Sequence, residues 1–171
     1  QNWDISRSRE MARLADEASP AAIAAMARRE GCRSVAYTYN DPVIFHEYAI
    51  DTAQACAEAG VLSVAVTAGY VCDAPRQEFY RHMHAANVDL KGFSDALYHR
   101  LCSARLDPVL ETLRYIAHET DVWLEITTLL IPGENDSDAE LDAMTQWIAG
   151  ELGADVPLHF TAFHPDWKMR D

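Results

Sequence analysis

Basic residues are in short supply in this chain: 14 Lys and Arg stand against 27 Asp and Glu over 171 residues, a formal net charge of -13. They are also scattered, so no face can neutralise a row of phosphates, and nucleic acid is not an expected partner. Long apolar runs are lacking too. None approaches the roughly 18 residues that cross a bilayer, and no charged-then-apolar leader opens the sequence. A soluble, cytoplasmic protein with no membrane association is the expectation. No G-x-G-x-x-G or G-x-x-x-x-G-K-[ST] loop follows any strand-like segment, which removes the main support for a dinucleotide or P-loop fold. Cys32, Cys56, Cys72 and Cys102 form no C-x-x-C pair. They read as buried or incidental thiols of a reducing compartment, not as a metal site. The seven histidines are equally dispersed. His82 and His84, two apart in an expected helix, would diverge by about 200° and are read as solvated.

What is present is punctuation. At 49% hydrophobic the chain can bury one sizeable core, so residues 1–171 are read as a single domain. Ser19-Pro20 before Ala21 to Glu30, then Gly31, supplies an N-cap, a proline at the first helical position and a glycine stop. Asp41-Pro42 repeats the start for a helix ending at Gly60, and Asp107-Pro108 does so for one carrying Val109, Leu113 and Ile116 on one side. Ser137 with Glu140 has the form of a capping box opening a helix that stops at Gly153. A short extra helix is expected from Ser94. Strands are placed at about 34–39, 61–67, 87–91, 122–130 and 158–163, and their alternation with helices predicts βαβ units and a parallel sheet.

Each expected strand stops at a polar cluster: Thr38 to Pro42, Thr67 to Tyr70, Asn87 to Lys91, Thr127 to Asp136 and Phe163 to Asp166. Polar groups repeated at strand exits are the pattern of a catalytic barrel rim. Side chains two apart share a face, so Asn87, Asp89 and Lys91 project together and place a carboxylate beside an ammonium. By the same rule Ser34, Ala36, Thr38 and Asn40 face inward while Val35, Tyr37 and Tyr39 face the helices. Glu125, Thr127 and Leu129 share one face. A partial or complete (β/α) barrel follows, and the register decides every one of these faces.

Five ordered motifs carry a resemblance that spans essentially the whole chain: Gln1 to Ser6, Ala36 to Pro42, Val88 to Phe93, Thr127 to Asp136 and Phe163 to Met169. Together they resemble the radical SAM protein of the AmmeMemoRadiSam system, a relative of the pyruvate formate-lyase activating enzymes. That resemblance implies an α/β fold, a partial (β/α)6 TIM-like barrel of the radical SAM type with its first strand missing. It implies S-adenosylmethionine and a [4Fe-4S] cluster as cofactors. The cluster would pass an electron to the sulfonium, giving a 5′-deoxyadenosyl radical that abstracts hydrogen, with glycyl-radical activation as one form of that reaction. The cluster cysteines, C-x3-C-x2-C in such proteins, would lie upstream of Gln1, and the domain is read as truncated at both ends and inactive alone. An electron donor such as flavodoxin or ferredoxin and an unidentified substrate, with a protein as one candidate, are the implied partners.

The resemblance also implies site residues. Asn40 and Asp41 would meet the methionyl amino group of S-adenosylmethionine, although Asp41 can equally cap the helix that Pro42 starts. Thr67 sits in a segment similar to T-N-G-Y in which Ala68 replaces the amide. Asp89 and Lys91 would reach the same cofactor end, or form a structural ion pair. Thr127 matches the exit of the family's fifth strand, and His164 a histidine near the cofactor, with core packing and a surface histidine as the plainer alternatives. Two other functions stay open. Lys91 at a strand exit beside acids can act as the Schiff base of a barrel lyase. The chain can also be a non-catalytic scaffold whose free sheet edge at residues 34–39 binds a partner.

Overall fold

The computed structural model describes residues 18–165; the Gln1 to Ser6 motif and the Asp166 to Met169 part of the last motif lie outside the described residues. Five strands, β1 (Ser34–Tyr37), β2 (Leu62–Thr67), β3 (Ala85–Asp89), β4 (Trp123–Leu130) and β5 (Leu158–Ala162), form one sheet in the order β1-β2-β3-β4-β5, and every pair is parallel. Sequential order without reversal is the order of a barrel wall, whereas a doubly wound sheet reverses at a switch point. β1 and β5 are its edges among the described residues, so the wall is an open arc. The partial barrel expected from the sequence is therefore the fold observed.

The connecting helices are α1 (Pro20–Arg29), α2 (His46–Glu58), α3 (Asp73–Tyr80), α4 (Asp95–Leu97), α5 (Asp107–Glu119) and α6 (Asp138–Trp147). Ser19 accepts a hydrogen bond from the Ala22 amide at 3.3 Å, with Pro20 at the first position of α1. A 3-10 turn over Pro42–Phe45 leads into α2, and single π turns extend α4 over Tyr98–Cys102 and α6 over Ile148–Leu152. The expected capping box is made by half: the Glu140 amide donates to Ser137 Oγ at 3.3 Å, but the Glu140 carboxylate leaves its own helix to accept from the Phe93 amide at 2.6 Å.

One expectation fails. His82 and His84 are not helical, because α3 ends at Tyr80 and β3 begins at Ala85, two residues earlier than expected. His84 is also more than a solvated side chain: its Nδ1 accepts from the Ser63 amide at 3.1 Å and its own amide donates to the Ser63 carbonyl, so it joins the foot of β3 to β2.

Helix-facing residues of β1 to β4 enter one core. Tyr37, Ala65, Ala86, Val88, Leu124 and Ile126 pack against Ala49, Ile50, Phe79, Leu113, Ile116 and Met144 of the helices. The other face of the sheet is open, with Ala36, Leu62, Trp123 and Leu129 exposed on it. The alternation read from the sequence thus has the register observed, and the open face is the lumen side of the arc. Ile126, fully buried at the centre, fixes this division. Ile126→Ala should lower unfolding free energy by about 2–5 kcal/mol, whereas Leu129→Ala on the open face should change it by less than about 1 kcal/mol. Urea unfolding of the two variants checks the assignment of the faces.

Candidate functional site

At the C-terminal ends of β1, β2 and β3 the chain draws its polar clusters together. Asp41, one residue before Pro42, caps the 3-10 turn through Oδ1, which accepts from the Val43 amide at 3.1 Å. The same oxygen accepts from Thr67 Oγ1 at 2.8 Å, and Oδ2 accepts from the Ala68 amide at 2.8 Å. One carboxylate therefore caps a helical turn and clamps the exit of β1 to the exit of β2. Thr67 points to the helix side of the sheet and is buried, and its hydroxyl is spent on Asp41 while accepting from the Gly69 amide at 3.1 Å. Gly69 is obligatory for this fold-back: its φ is +67°, and a Cβ there would lie 2.9 Å from Val88 Cγ1. Tyr39 holds a positive φ of 69° without being glycine, and its ring is 73% exposed. Strain of that kind at a strand exit is found where a local shape is required.

β3 ends at Asp89, two residues short of the strand end expected from the sequence, and Lys91 lies just past it with its Nζ donating to Asp89 Oδ2. Lys91 is held from both sides through its backbone: its amide donates to the Tyr98 hydroxyl at 3.1 Å and its carbonyl accepts from Asn135 Nδ2 at 2.8 Å. Burial pushes the Tyr98 phenol up, so it stays a neutral acceptor and donor there. Asn135 is 1% exposed. Its Nδ2 also donates to the Leu129 carbonyl at 2.9 Å, and its Oδ1 accepts from the Ile131 amide at 2.7 Å. The buried amide thereby ties the ends of β3 and β4, assisted by Thr128 Oγ1, which donates to the Leu90 carbonyl at 2.8 Å.

Between these exits lies a cavity of about 360 Å³ with Thr38, Tyr39, Asp41, Ala68, Asp89 and Lys91 on its walls. Two carboxylates and one ammonium leave it one negative charge in excess. Of the residues singled out in the sequence, Asp41, Thr67, Asp89 and Lys91 line this cavity. Asn40 is half-buried beside it without forming its wall. Thr127 lies on the open face of β4, in register with Asp89 on one side and His159 on the other. His164 is exposed after β5, at the same rim but two strands from Lys91 and outside the cavity wall. Asn135 was missed by sequence reasoning. The turn around Pro132 and Gly133 was legible, but the direction of the Asn135 amide was not.

A second polar group sits lower on the open face. Glu125 accepts from Trp123 Nε1 at 2.9 Å and from His159 Nε2 at 2.8 Å. The indole N–H first, then the imidazole, hold its carboxyl below the ordinary value of 4.5.

Cys32, Cys72 and Cys102 are exposed and Cys56 is buried, and all four are free thiols. No group of three or more His, Cys, Asp or Glu side chains among the described residues is placed to hold a metal ion. Likewise no described helix is long and apolar enough to cross a membrane.

Against known proteins, the Radical SAM superfamily family model matches residues 1–144. An uncharacterised protein of Methanocaldococcus jannaschii is 36% identical over 171 residues, which is 100% of this chain and 50% of that protein. The chain thus spans half the length of the curated relative it matches. Among solved structures, a domain of pyruvate-formate lyase-activating enzyme from Bacteroides vulgatus is 21% identical, with a TM-score of 0.62 over 74% of each chain. Streptococcus suis SuiB bound to the precursor peptide SuiA is 15% identical, with a TM-score of 0.69 over 87% of this chain and 34% of that one. A radical SAM methyltransferase from Sphaerobacter thermophilus is 20% identical, with a TM-score of 0.62 over 82% and 44%. At these identities the structural likeness speaks for the fold alone.

Two outcomes test the site's construction. Asn135→Ala strips partners from two carbonyls and one amide and should lower unfolding free energy by about 3 kcal/mol, read by urea denaturation. Because the Glu125 carboxyl is held low in the folded state, its contribution is present above about pH 4.5 and fades as pH falls through the lower folded value. The group is part-exposed, so the contribution is below about 1 kcal/mol. In Glu125→Gln the wild-type advantage should be present at pH 6 and shrink progressively as pH falls below 4.5 in paired unfolding curves.

Proposed function

This chain belongs to the radical SAM superfamily, and we propose that its β1–β3 rim cavity receives the methionyl end of S-adenosylmethionine in the intact protein. One observation carries this reading: Asp41, Asp89 and Lys91, from three strand exits, stand around a single cavity. The methionyl end is a zwitterion, and a carboxylate beside an ammonium is its complement. Asp89 can accept from the amino group while Lys91 donates to the carboxylate, so the Asp89–Lys91 pair exchanges one partner for another without stranding a charge. Asp41 orients this arrangement, since its oxygens already hold the turn that shapes the wall.

The chemistry such a cofactor supplies is reductive cleavage and hydrogen abstraction from a substrate. The described residues do not fit a [4Fe-4S] cluster: their cysteines lack the spacing and no metal-holding group occurs among them. No step through a cluster is derived from this chain, and we assign its ligands to another part of the protein. The five motifs favour the AmmeMemoRadiSam branch, with a flavodoxin or ferredoxin as electron source and a protein as one candidate substrate. A Lys91 iminium needs a neutral amine, and here Nζ is engaged by Asp89 and part-exposed, so the geometry favours cofactor binding over a Schiff-base lyase.

In the intact protein, reconstituted anaerobically with iron and sulfide and then reduced, 5′-deoxyadenosine should form. Lys91→Met and Asp89→Asn should each weaken S-adenosylhomocysteine binding by at least tenfold in calorimetry, with circular dichroism unchanged. Unaltered affinity in both variants overturns the reading. Trapping of a carbonyl compound on Lys91 by borohydride would put the lyase in its place.

A further inference from the structure

The rim cavity leaves unexplained the group lower on the open face. Trp123, Glu125 and His159 meet there, and nothing in the proposed cofactor site uses them. Glu125 is hydrogen-bonded only by an indole and an imidazole, and no Lys or Arg pairs with it among the described residues. The ammonium of Lys91, just past the end of the neighbouring strand, is taken by Asp89. When His159 is neutral, the cluster is one carboxylate with no counter-charge. A neutral imidazole that donates from Nε2 keeps Nδ1 as an acceptor, and no hydrogen bond to Nδ1 occurs among the described residues. The Trp123 ring, 60% exposed, stands beside the carboxylate. In register with it lie Ala85, Val64 and Ala36, a floor of small apolar side chains.

We infer that this cluster is a recognition site for a protonated amine or guanidinium borne on an aliphatic stem, presented by the substrate from the lumen side. A carboxylate supplies the counter-charge, the indole face attracts a cation, and the small floor accommodates the methylenes. The inference rests on the superfamily reading only in taking the open face as the substrate's side.

Calorimetric titration of the intact protein with n-butylammonium and n-butylguanidinium, against 1-butanol as the uncharged shape control, tests it. Both cations should bind at pH 8 and the alcohol should not. Glu125→Gln should weaken the cations at least fivefold, while Glu58→Gln, the same charge change on the outer face of α2, should leave them as in wild type. Equal binding of 1-butanol, or wild-type affinity in Glu125→Gln, overturns the site. S-adenosylhomocysteine affinity, measured on the same samples, reports the rim cavity separately, so failure of one site is distinguishable from failure of the other.

Discussion

A single carboxylate, that of Asp41, decides the shape of the rim. Its two oxygens take three donors, one from the turn it caps and two from the exit of the neighbouring strand. A charged acceptor with three partners is among the stronger uncovalent ties a protein can make. This one binds residues 26 and 27 positions apart, so the loop after β1 and the loop after β2 behave as one wall. Gly69 completes it, because only a residue without a Cβ can turn back against Val88 there.

The β3–β4 side is built by a different device. There a neutral, fully buried amide replaces the carboxylate, and Asn135 meets three backbone groups from three positions of the chain. Asn135 itself is buried, and these three partners satisfy its amide, which is why a polar side chain is tolerated in that place. Tyr98 approaches Lys91 from the opposite side. The ammonium thus extends from a backbone fixed at both its amide and its carbonyl, while its side chain remains free to exchange partners.

The open face carries two polar groups at two depths. At the rim, Asp89 and Lys91 are neutral as a pair and suited to a zwitterion. Lower down, Glu125 is paired with no Lys or Arg among the described residues and is flanked by an exposed ring. Between them, Thr127 joins Asp89 and His159 in one register row, so the two groups belong to a continuous polar stripe across β3, β4 and β5. A cofactor at the upper level and a substrate group at the lower would be adjacent, which is the arrangement a reaction between them requires.

Sequence alone determined the strands, most helices and which side of each strand faces the lumen. These features depend on neighbours within a few residues: caps such as Ser19, proline starts, and an alternation in which Val35 and Tyr37 oppose Ala36 and Thr38. The sequence also pointed to the Asp89–Lys91 pair, although the strand ends at Asp89 and Lys91 reaches it from just beyond. Tertiary structure decided where the hydroxyl of Thr67, the amide of Asn135 and the carboxylate of Glu140 are spent. It also decided that His84 links two strands and that His164 stands away from the cavity. Each of those outcomes depends on a partner tens of residues distant, and a polar side chain's choice among such partners is fixed only when the sheet has brought them within hydrogen-bonding reach.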